Sequence, residues 1–149
     1  MKFSNQLEIH GCDFTSLYTN IQLDDAIYFT MDSLVMHIDK KFLTPTGLFK
    51  FLQIVLHNNA FSFENEFFKQ GLAMGSNPGP AIANVVVYKL ETKWLSIDKP
   101  LMYNRFIDDI FLAVSHPIDL IKFKETFGYL ELNIIHEKKN SVSRLRNIV

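Results

Sequence analysis

Two adjacent aspartates stand inside an otherwise apolar run, Phe106-Ile107-Asp108-Asp109-Ile110-Phe111-Leu112. Neighbouring carboxylates repel each other and resist leaving water, so the pair must be solvated, protonated or met by a cation. Residues Met102 to Ile107 and Ile110 to Val114 read as two apolar strands with the aspartates between them. Two readings of the pair stay open at this level. One is a plain turn with solvated carboxylates, since Asp is a common turn residue. The other is a cation site. A second pair, Asp24-Asp25, reads differently. It opens a helix, where carboxylates complement the positive end of the helix dipole and cap free N–H groups.

The remaining pattern alternates strands and helices. Leu7 to Phe14 reads as a strand running into Asp13. The helix opened by Asp24-Asp25 carries Ile27, Met31, Leu34/Val35 and Ile38 on one face. Thr44-Pro45 combines an N-cap with a first-turn proline and starts a helix to about His57. Ala60 to Phe63 and Glu66 to Lys69 form an aromatic-rich hairpin around Glu64-Asn65. Gln70 to Pro80 is a Gly- and Pro-rich loop, followed by a helix from Ala81 to about Leu95. A short helix from about Ile118 to Phe127 ends at Gly128, and Leu132 to His136 is a last strand. The expected class is α+β, an antiparallel sheet with helices on one face, in one domain over residues 1–149.

Composition excludes several classes. Fifteen basic against sixteen acidic residues give a net charge of −1, not the balance of a free-standing nucleic-acid binder. A single cysteine, Cys12, excludes an intrachain disulfide framework. The longest nearly apolar run, Ala81 to Tyr88, is too short to span a membrane, and no signal peptide follows Met1. The histidines are scattered, without a pair at metal-ligand spacing.

Asp13 is the third acid of interest. Three aspartates at two strand ends can share one sheet edge and hold two divalent metals. Oxygen-bound Mg²⁺ in pairs suits phosphoryl transfer.

The ordered motifs resemble those of reverse transcriptases. Asp13-Phe14-Thr15-Ser16-Leu17-Tyr18-Thr19-Asn20-Ile21 resembles motif A. Gln70-Gly71-Leu72-Ala73-Met74-Gly75-Ser76 through Asn84 resembles motif B, and Tyr103-Asn104-Arg105-Phe106-Ile107-Asp108-Asp109 resembles motif C. The wording is most similar to Penelope-like retroelements. The resemblance implies a polymerase palm acting as an RNA-directed DNA polymerase on an RNA or DNA template with a primer and deoxynucleoside triphosphates. It implies that Asp13, Asp108 and Asp109 are catalytic and, with the backbone carbonyl of Phe14, hold two Mg²⁺ ions that Mn²⁺ can replace. Phe14, Tyr18, Gln70 and Gly71 would bind the nucleotide, with Tyr18 crowding the sugar 2′ position. Gly75, Ser76, Asn77, Tyr103 and Arg105 would face template and primer.

Two positions depart from the family pattern. Asn77 stands where proline is usual, and Gly79 where serine is common. Lys138 and Lys139 weakly resemble a late motif that protonates the leaving pyrophosphate; a solvated turn is the other reading. Fingers and thumb are expected to be largely missing from the chain, as segments of a larger polyprotein. A nuclear setting is implied, with no membrane. The alternative is a catalytically idle, retroelement-derived palm serving as a scaffold or nucleic-acid-binding relic.

Overall fold

The computed structural model describes residues 8–58, 61–63, 66–68, 71–73, 75–114 and 120–137. The chain divides into two compact units. One is drawn from Met1–Thr15 and Lys93–Val149, the other from Ser16–Thr92.

The first unit is built on a four-stranded antiparallel sheet. Its strands are β1 (Glu8–Phe14), β4 (Met102–Phe106), β5 (Asp109–Val114) and β6 (Leu132–Glu137), in the order β4-β5-β1-β6. Period-two alternation gives the sheet two unlike faces. His10, Cys12 and Phe14 of β1 and Ile110, Leu112 and Val114 of β5 are buried on one face. The helix α5 (Leu120–Thr126) belongs to this face. The Phe14 ring meets Phe127 edge-on at 5.0 Å, and Phe127 meets Phe123 at 5.3 Å. Trp94 stacks on the same cluster, 4.5 Å from Phe123. The opposite face leaves Met102, Phe106, Phe111 and Ile135 exposed.

The second unit is mainly helical. It holds α1 (Leu17–Asn20), α2 (Leu23–Leu34), α3 (Pro45–His57), the hairpin strands β2 (Phe61–Phe63) and β3 (Glu66–Phe68), and α4 (Gly79–Leu95), whose last turn counts with the sheet unit. Buried Ala26, Ile27 and Thr30 of α2 and Leu48, Leu52 and Leu56 of α3 recur at three- and four-residue spacing, which gives each helix one apolar face. Thr44 caps α3 as its sequence predicts: the Gly47 N–H donates to Thr44 Oγ1 at 3.1 Å, with Pro45 in the first turn. In α4, Ile82, Ala83, Val86 and Val87 form the buried stripe.

The α+β class and antiparallel sheet agree with the sequence reading. The helix expected to run through Ile38 is shorter, since α2 ends at Leu34. Val35 and Ile38 are only half-buried and Met36 is 84% exposed, so the apolar residues past Leu34 add none to the core. An Asp39 carboxylate accepting the Lys41 N–H begins the turn beyond it. The short helix α1 was not expected. The tip of the β2–β3 hairpin, residues 115–119 at the expected start of α5, and Lys138 and Lys139 lie outside the described residues.

Candidate metal centre

Strand pairing brings the acids together. Asp13, next to last in β1, lies opposite Asp109, the first residue of β5. β4 and β5 pair as far as Phe106 with Asp109, leaving Ile107 and Asp108 as a two-residue turn. The Phe14 N–H donates to the Asp108 carbonyl at 3.2 Å, tying that turn to the end of β1. One carboxylate oxygen from each of Asp13, Asp108 and Asp109 lies within 4.8 Å of the others. Asp13 and Asp108 are half-buried and Asp109 is exposed.

Three carboxylates this close repel one another. Partial burial first, then the charges of Asp108 and Asp109, hold Asp13 above the usual carboxylate range. The donor set is all carboxylate oxygen, which suits hard divalent ions such as Mg²⁺ and Mn²⁺ rather than thiolate-seeking metals. Cys12 is not part of it: strand alternation turns its side chain to the buried face, where burial pushes the thiol up to about 11. The residues therefore fit the expected metal.

The open face of the sheet continues from the triad into a hollow of about 320 Å³, lined in part by Gly11, Asp13, Asn104, Phe106, Phe111 and Ile135. Of motif C, Tyr103 places its ring 6.2 Å from Trp94, and the Arg105 guanidinium donates to the Ile107 carbonyl at 2.9 Å. Asn104, Arg105 and Phe106 line the hollow beside Asp13; Asn104 and Phe106 share the strand face of Asp109, and alternation along β4 was the signal that could have marked them.

Motifs A and B meet inside the second unit. The Leu72 N–H donates to the Tyr18 carbonyl at 2.7 Å. Gly71 has φ 83°, and a Cβ there would sit 2.6 Å from the Thr19 Cα, the Thr19 carbonyl oxygen and the Tyr18 carbonyl oxygen. The close approach that glycine allows at this position is thus to the chain's own backbone. Ser76 turns its hydroxyl onto the Ala73 carbonyl at 2.8 Å. A Cβ on Gly79 would lie 2.8 Å from that carbonyl oxygen and 2.9 Å from Ser76 Oγ, which accounts for glycine at this position. Gly75 and Asn77 are exposed beside this coil, and Tyr18 is half-buried. Gln70 lies outside the described residues.

No protein-family model matches this chain, and no curated protein does. Among solved structures it is similar to an apo telomerase from Candida tropicalis truncated from its C-terminal domain, with a TM-score of 0.62 at 14% identity. The match covers 91% of this chain and 31% of the telomerase chain. This likeness supports a reverse-transcriptase-like fold, and at that identity it speaks for the fold alone. No described helix is long and apolar enough to cross a membrane.

Proposed function

We propose that residues 1–149 form the palm core of an RNA-directed DNA polymerase. One observation carries the reading: an all-aspartate triad, within 4.8 Å, at a strand end and hairpin turn of a reverse-transcriptase-like fold. Asp13 and Asp108, with the Phe14 carbonyl and assistance from Asp109, would hold two Mg²⁺ ions, or Mn²⁺ in their place. Bound there, the ions would supply the Lewis acidity that activates a primer 3′-hydroxyl and offsets charge on departing pyrophosphate.

The chain's own residues supply position and selection. The aspartates set where the ions, and through them the reacting groups, would sit at the sheet's open face. Asn104 and Phe106 share the hollow beside Asp13 and offer one polar and one apolar contact to a primer end. Tyr18 excludes a ribose 2′-hydroxyl by bulk. Gly75, Ser76 and Asn77 face the template. The motif wording supports a Penelope-like retroelement origin within this class.

Primer extension on an RNA template with deoxynucleoside triphosphates tests the reading. Asp108→Asn is expected to lower extension by on the order of 10³-fold while leaving the fold intact. Equal extension by that variant refutes the metal assignment. Tyr18→Ala is expected to admit ribonucleotides, and unchanged discrimination would make Tyr18 a packing residue only. A catalytically idle palm is the alternative reading. Triad-dependent Mn²⁺ binding without any extension would decide for it.

A further inference from the structure

The turn that aims Asp108 is built around a residue unsuited to its conformation. Ile107 has φ 57°, in the left-handed region. In the two-residue hairpin loop Ile107-Asp108 it fills the first central position. A positive φ there, and only there, matches a type II′ turn, whose first central residue is ordinarily glycine. A β-branched side chain in that conformation is rare, and it persists only where surrounding contacts over-determine it.

Two hydrogen bonds do so. Arg105 Nη1 donates to the Ile107 carbonyl at 2.9 Å, and the Phe14 N–H donates to the Asp108 carbonyl at 3.2 Å. The peptide carbonyls entering Asp108 and entering Asp109 are both held. Released, Ile107 would relax toward negative φ, swinging the peptide that follows it and turning Asp108 out of reach of Asp13. We infer that Arg105 is a positioning residue for divalent-metal binding, latching the Ile107 carbonyl so that Asp108 stays beside Asp13. This rests on the triad being a metal site.

The latch is geometric, so it separates from simple charge. Lysine keeps the positive charge but loses the planar fork of guanidinium donors. Asparagine tolerates the left-handed region better than isoleucine, so Ile107→Asn reduces the need for a latch.

Mn²⁺ binding to the full chain, followed by water-proton relaxation, tests the proposal, with far-UV circular dichroism and melting of each variant alongside. Arg105→Met is expected to weaken Mn²⁺ binding about tenfold, as loss of a group that orients a ligand does. Arg105→Lys should recover only part of that loss, and Ile107→Asn in the Arg105→Met background most of it. Unchanged affinity in Arg105→Met overturns the proposal. Full recovery by lysine with none from Ile107→Asn also overturns it, since charge would then be acting. Should Arg105→Met fail to fold, Ile107→Asn alone decides: binding as tight as wild type, with Arg105→Lys tolerated in that background, supports the latch, and weaker binding refutes it. Failure of the underlying reading looks different. A folded wild type without Mn²⁺ affinity, or an Asp108→Asn variant that binds as well as wild type, removes the metal site itself.

Discussion

The chain carries two Asp-Asp pairs with opposite surroundings. Asp24 and Asp25 sit in the first turn of α2, where the backbone N–H groups welcome them. The Asp24 side chain is 95% exposed and 3.8 Å from His57, a pair that would be ionic only with the histidine protonated. Asp108 and Asp109 have no helix start to rest on. A two-residue turn and an antiparallel register instead press them toward Asp13. The same dipeptide is thus relieved in one place and crowded in the other. Carboxylates crowded in this way are arranged as a divalent cation would need them.

The largest expected contrast is in chemistry. Asp108→Asn should abolish triad-dependent Mn²⁺ binding, while Asp24→Asn with Asp25→Asn should leave it unchanged. Comparable losses from both pairs would break the distinction.

Next comes the effect of pH on stability. Asp13 binds its proton more readily in the folded chain than in the unfolded one, because of partial burial and its two acidic neighbours. Its ionisation therefore opposes folding. That cost is absent below the unfolded pKa of about 4 and complete above the raised folded value. In the absence of divalent cations, Asp13→Asn should melt higher than wild type at neutral pH, and the gain should vanish as pH falls below about 4. Saturating Mn²⁺ should reverse the order, since it stabilises the chain that binds it. Melting curves across pH, with and without Mn²⁺, check both halves.

Smaller effects belong to the helix starts. Thr44→Ala removes the acceptor for the Gly47 N–H and should cost about 1 kcal/mol in denaturant titration. Replacing Asp24 and Asp25 by asparagine should cost about 0.3–1 kcal/mol for each favourable dipole interaction lost, diminishing with salt. A larger, salt-insensitive loss would show that the pair does more than complement the helix.

The same contrast explains what was legible beforehand. Strand ends at Asp13 and Asp108-Asp109 could be read because apolar alternation stops abruptly at a carboxylate. Thr44-Pro45 announced α3 through cap chemistry that is local. The end of α2 was hidden, because Val35 and Ile38 keep helical spacing although neither reaches the core. Four-residue α1 is too short to show a period. Within the site, Arg105 could be placed in motif C, but its bond to a carbonyl two residues on depends on Ile107 adopting a backbone that its own side chain disfavours. Strand alternation was available to set Asn104 and Phe106 on the face of Asp109 and Asp13, and the motif as a whole obscured it.

The squeeze of Gly71 against Tyr18 and Thr19 has a consequence for sequence variation. Any side chain at position 71 must displace backbone rather than a yielding rotamer, and the Leu72-to-Tyr18 hydrogen bond leaves little slack to absorb it. In a mutational library, position 71 should accept almost nothing by itself. Its rare survivors should carry second changes near Thr19, so that two stretches more than fifty residues apart in the chain vary as one word.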